Sequence, residues 1–190
     1  MSCSQNSETN SIEVNPVEVV SENLDFKEFL DIIPTKNLPL TIECGFESTF
    51  NDYNFSAKQQ KFIPNDFEVV GKLNTTKDLN LVLFAVNGDI IYPYLFSFDD
   101  NGQIIDSIYL HKSTCTGDPN LELSTWSVID TDITINMTDT TKVFNYSETD
   151  NSRILESTVV KKRTVKMKND GSFFIKSETT KTEDIEEPTL

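Results

Sequence analysis

The chain has 190 residues, 10% of them aromatic and 25% charged, with a formal net charge of −15 at neutral pH. No apolar run nears the roughly 18 residues that cross a bilayer as a helix. The acidic excess disfavours nucleic-acid binding, which needs clustered Lys and Arg. Alanine occurs only at positions 57 and 85 while Thr, Val, Ile and Phe are common, which argues for a sheet and against a helical bundle.

Residues 4–23 are polar, with one proline and neither a helical nor a strand period. Such a stretch buries too little apolar surface to offset its ordering entropy and reads as a flexible tether over residues 1–23. Leu24 to Ile33 is the one predicted helix, with Asn23 as N-cap and Leu24, Phe26, Phe29, Leu30 and Ile33 forming its apolar stripe. Pro34 stops it. Leu38 to Phe46 is predicted as a first strand, and residues 47–60 as a loop with a short helical turn.

From Phe62 the chain reads as successive strands. Phe67 to Leu73 precedes Leu79 to Val86, an almost wholly apolar segment of the kind covered on both faces. Asn87-Gly88 is a hairpin signal. In Ile90 to Phe98, Pro93 denies the ladder one donor and suggests an edge or a bulge. Asp99 to Gly102 is a second turn, Gln103 to Leu110 a strand, and Lys112 to Asn120 a loop. Leu121 to Ile129, Ile133 to Met137, Lys142 to Tyr146, Ile154 to Lys168 and Ser172 to Ser177 complete the set, the last two joined by the turn Asn169-Asp170-Gly171. Short turns without intervening helices mean antiparallel pairing. The predicted fold is mainly β, an antiparallel sandwich, open barrel or curved meander with one N-terminal helix. Residues 24–181 form one domain of about 160 residues, and residues 182–190 an acidic disordered tail.

Cys3 stands between Ser2 and Ser4 at the head of the polar leader. This arrangement resembles the mature end of small bacterial cell-envelope lipoproteins, in which a cysteine after a small residue carries the lipid. The resemblance implies lipid attachment at Cys3 and a domain held on a membrane at the periplasm-facing or outer surface. It covers about a tenth of the chain and carries no functional residue beyond Cys3. Cys44 and Cys115 are then either a disulfide pair, common in exported domains, or two buried thiols.

No cofactor motif is present. The chain lacks GxGxxG and Walker sequences, and His111 is its single histidine, so there is no histidine pair for zinc. His111 with Asp106 and Ser107 or Ser113 has the composition of a catalytic triad, but Ser107 and His111 lie roughly 13 Å apart along a strand. The Asp99–Gly102 turn offers oxygen ligands for calcium, but lacks the alternate spacing and distal glutamate of a calcium loop. No metal site is therefore predicted.

Two surface features remain. Tyr92, Tyr94, Phe96 and Phe98 share one side of a strand and, with Trp126, line either the core or a ligand surface. Lys162, Lys166 and Lys168 point one way along another strand and form either a solvated strip that guards an edge or an anion contact. The functional expectation is a non-enzymatic, membrane-tethered binding module for a protein, peptide or glycan, with an acidic inhibitor or immunity-type protein as one version. The alternatives are an exported hydrolase using dispersed carboxylates or a serine, and a structural component of a surface assembly.

Overall fold

The computed structural model describes residues 16–44, 53–75, 79–87, 91–111, 117–147 and 152–184. Two sheets and two helices stack in three layers. The first sheet contains β1 (Thr35–Lys36), β3 (Glu68–Leu73), β4 (Asn80–Asn87), β5 (Ile91–Phe98) and β6 (Ile104–Tyr109), in the order β1-β3-β4-β5-β6. The second contains β2 (Leu40–Glu43), β8 (Leu121–Ile129), β9 (Thr134–Tyr146), β10 (Arg153–Met167) and β11 (Phe173–Asp184), in the order β11-β10-β9-β8-β2, with β7 (Gly117–Asp118) beside β8. Every pairing is antiparallel except β1 with β3. Both sheets are open, so the fold is a sandwich and not a closed barrel.

Strand alternation sorts the residues of the first sheet. Leu81, Leu83 and Ala85 on β4 face the second sheet and join Ile42, Leu95, Leu110, Ile129, Ile135, Met137 and Val165 in an aliphatic core. Val82 and Phe84 point the other way, against the helices, where Phe26, Phe29, Phe62, Phe96 and Phe98 form an aromatic core. Helix α1 (Pro16–Ile32) covers this outer face through Phe26 and Phe29, and α2 (Ala57–Gln60) leads into Phe62. The apolar run at β4 thus has the two-sided burial its sequence predicts.

The structure also corrects several expectations. α1 begins at Pro16, inside the segment expected to be a flexible tether, so Asn23 is an internal helical residue and not the N-cap. Proline suits a first helical turn because its missing N–H would be unpaired there anyway. Leu24 points to solvent, leaving Phe26, Phe29 and Ile33 as the buried stripe. The strand predicted from Leu38 to Phe46 starts at Leu40 as β2, and β1, for which no strand was predicted, precedes it and joins the other sheet. β9 is one strand where two were predicted, and β11 runs to Asp184, into the expected tail. β5 is interior, with β4 and β6 on either side. Pro93 is tolerated there because its carbonyl, and with it the side of its missing donor, faces Leu110 just past the end of β6 and not the β4 ladder.

Candidate functional site

The two sheets approach each other along one seam, between the edge strands β6 and β11. At one end they are clasped. The Asp106 carboxylate accepts from Ser107 N–H at 2.8 Å and from Phe173 N–H of β11 at 2.7 Å. Beside it, Ser97 Oγ of β5 donates to the Gly171 carbonyl at 2.8 Å. Away from this clasp the seam opens into a groove of about 530 Å³. Its walls are Ser107 to Tyr109 and His111 on one side and Phe173 to Ile175 on the other, with Arg163 and Val165 of β10 contributing as well.

Both walls are strand edges. Among the described residues β6 pairs only with β5, and β11 only with β10. Leu110 N–H donates to the Pro93 carbonyl, and the β5–β6 register then turns the backbone groups of Ile108 and Asp106 to β5 and those of Ser107 and Tyr109 to the open side. On β11, the Ser172 carbonyl accepts from Lys168 and Phe173 N–H reaches Asp106, so Phe173 and Ile175 face the seam. The lining is mixed, with Asp106, Ser107, His111 and Arg163 among the apolar side chains, and Phe174 and Ile175 are 40% and 55% exposed.

The polar groups of the groove are mostly committed. Arg163 donates from Nε to Glu178 at 3.0 Å, with its second contact to the same oxygen at 2.9 Å. Burial first, then the neighbouring Tyr94, Tyr92 and Asp139, push the Tyr109 phenol up to about 12, so it remains a neutral donor. His111 is the exception. It is 2% exposed, and neither ring nitrogen has a hydrogen-bond partner among the described residues. Burial lowers its pKa and keeps the ring neutral, against the smaller opposing influence of the Ile42 backbone and the Asp139 carboxylate. The Ile42 backbone lies near enough to favour protonation without meeting hydrogen-bond geometry. Asp139 itself accepts from Thr125 Oγ1 at 2.6 Å.

His111, Ser107 and Asp106 do line one groove, but they do not assemble as a triad. Asp106 is spent on two backbone donors, and the imidazole bonds to neither partner. Ser113 lies outside the described residues. The aromatic row is divided: Phe96 and Phe98 are buried beneath α1, Tyr92 and Tyr94 are half-buried on the same outer face, and Trp126 is exposed on the outer face of the second sheet. These five residues therefore do not make one surface, because the two outer faces point in opposite directions. Lys162 is exposed, Lys166 pairs with Asp132 at 3.8 Å, and Lys168 Nζ lies 5.9 Å from the Phe174 ring centre. In the acidic turn, Asp99 Oδ1 accepts from Asn101 and Gln103 N–H, the work of a turn-forming carboxylate.

Cys44 is disulfide-bonded, and its Sγ accepts from Thr125 N–H at 3.1 Å. Cys3 and Cys115 lie outside the described residues. No described helix is long and apolar enough to cross a membrane. Comparison with protein-family models, curated proteins and solved structures finds no match to this chain.

Sequence reasoning missed the groove wall formed by Arg163, Val165 and Phe173 to Ile175. The signal present was three apolar residues at the start of a strand otherwise full of Ser, Thr, Lys and Glu. Which strand would lie at an edge, and opposite what, is a property of topology.

Proposed function

We propose that this protein is an exported, membrane-tethered binding module that holds a protein, peptide or glycan ligand in the groove between β6 and β11. The observation that carries this reading is the groove itself, bounded by two open strand edges and lined by exposed apolar side chains. The disulfide at Cys44 supports an oxidising compartment. With a lipid on Cys3, Cys115 is the cysteine left to pair with Cys44. A non-catalytic role is favoured by the commitments of Asp106 and Arg163 to structural bonds.

The test compares the full-length protein with a Phe174→Glu, Ile175→Glu double variant in quantitative pull-downs from envelope extract. Both side chains are exposed, so the fold should survive, as circular dichroism would check. The expected result is at least a tenfold loss of retained ligand, and equal retention would reject the groove. Labelling with an alkyne fatty acid, lost on Cys3→Ala, checks the anchor.

A further inference from the structure

We propose that the groove takes an extended, apolar and acidic peptide segment of a second protein as an added β-strand, antiparallel to both β6 and β11. This inference rests on the binding-module reading and names its ligand class. From the Asp106 clasp, β6 proceeds through Ser107 and Tyr109 toward His111, while β11 proceeds through Phe173 and Ile175 along the same groove. The two edges therefore run in the same direction, so one inserted strand can be antiparallel to both. The Ser107 and Phe173 N–H groups are held by Asp106, which leaves the Ser107 carbonyl and both groups of Tyr109 on one edge and the Phe173 carbonyl and both groups of Ile175 on the other, at the two-residue spacing that a strand's own donors and acceptors match.

Side chains of such a strand alternate between two environments. One set points inward to Val165 and His111, where apolar groups are favoured and a charge would lose its hydration. The other set points outward on the side of Phe174. There the outer face of β10 carries the exposed lysines Lys162 and Lys168, which make no ion pair among the described residues, and Lys168 Nζ lies 5.9 Å from the Phe174 ring centre. Residues 151–190 hold 8 basic and 7 acidic side chains, while residues 1–150 hold 8 and 24. This is the part of the protein where an acidic partner meets attraction instead of repulsion. The charge complementarity selects carboxylates on the outward positions.

The probe is a pool of blocked octapeptides alternating valine or leucine with glutamate or threonine, added to the full-length protein and followed by amide resonances. Shifts confined to β6 and β11 are expected. Binding should weaken at least tenfold when alternate peptide nitrogens are methylated, and likewise on Ile175→Pro, which removes an outward donor from an edge strand without touching the ladder to β10. Replacing the glutamates by lysine should also weaken binding several-fold. Equal binding by methylated peptides with the groove resonances still shifting would overturn strand addition while leaving the binding-module reading intact. Absence of any shift with the whole pool would overturn the peptide, and if an envelope ligand still shifts the same resonances the groove remains a site for other chemistry. Dimerisation without peptide, with the same resonances shifted, would overturn it in favour of a second copy of this chain.

Discussion

The two faces of the first sheet are packed by different means. On its outer face, α1 and α2 close a layer of phenylalanines that meet ring to ring, with Phe26 lying 4.9 Å from Phe62 and 5.4 Å from Phe98. On its inner face the packing is aliphatic at one end, around Leu81, Leu83 and Ile135, and turns polar toward the other, at Thr125, Asp139 and His111. The helical side is therefore a closed structural layer. The inter-sheet side loses its apolar filling just where the β6–β11 seam opens. Stability and binding are separable in this fold, because the layer that contributes most of the aromatic burial is not the layer that contains the groove.

The sharpest way to break that separation is Phe29→Ala. The side chain is fully buried between α1 and the loop before α2, with Phe55 and Phe62 rings 5.4 and 5.7 Å away. Truncation leaves a cavity that the surrounding rings cannot collapse into, and costs about 3–5 kcal/mol. Urea denaturation should show this loss, while ligand retention below the unfolding transition stays unchanged. A large drop in retention by the still-folded variant would mean that the two layers are coupled.

A smaller effect is expected at Gly102, where the Asp99 turn meets the same aromatic layer. Its φ is +80°, and an added Cβ would lie 2.4 Å from the Phe62 ring and 2.7 Å from that of Phe26. Gly102→Ala combines a disfavoured backbone conformation with overpacking and should cost about 1–3 kcal/mol. A shift in the urea midpoint smaller than that of an exposed control such as Asp100→Ala would show that the turn moves freely away from the helix.

The helical layer was the more legible of the two. Phe26, Phe29 and Ile33 recur at helical spacing, and alternation along β4 and β5 names the residues beneath them. The turn residues Asp99 to Gly102 and Asn169 to Gly171 mark hairpins that are present, with Gly102 and Gly171 both at positive φ. What could not be read was the relation between distant strands. Asp106 reads in sequence only as a triad candidate because its partner, Phe173 N–H, lies 67 residues away. Pro93 suggested an edge because sequence shows the missing donor but not that β6 stops beside it. Trp126 and Tyr94 are both aromatic strand residues, and only the stacking of two sheets puts them on opposite outer faces. Local propensity and period fix elements and faces; edges and seams depend on sheet order, which is set by contacts far apart in the chain.

The smallest expected effect probes the polar end of the inner layer. Burial holds the His111 pKa below its ordinary value of 6.5, so the folded protein binds fewer protons than the unfolded chain between those two pKa values. Stability is then full above about pH 6.5 and falls as the pH drops below it, by at most about 1.4 kcal/mol per pH unit for a single group. The groups facing the ring are Tyr109, neutral throughout this range, and Asp139, whose charge moderates the loss by favouring the imidazolium. Asp132 and Asp170, held below the usual carboxylate range by hydrogen bonds from Thr134 and Ser172, lose their contribution only at more acidic pH. His111→Leu replaces the ring with an apolar side chain of similar bulk and removes its proton. Urea midpoints at pH 7.5 and 5.5 should therefore diverge less for the variant than for the natural protein. The same dependence in both would place the titrating group elsewhere, and the inner layer would then be as inert to pH as the aromatic layer on the other side of the sheet.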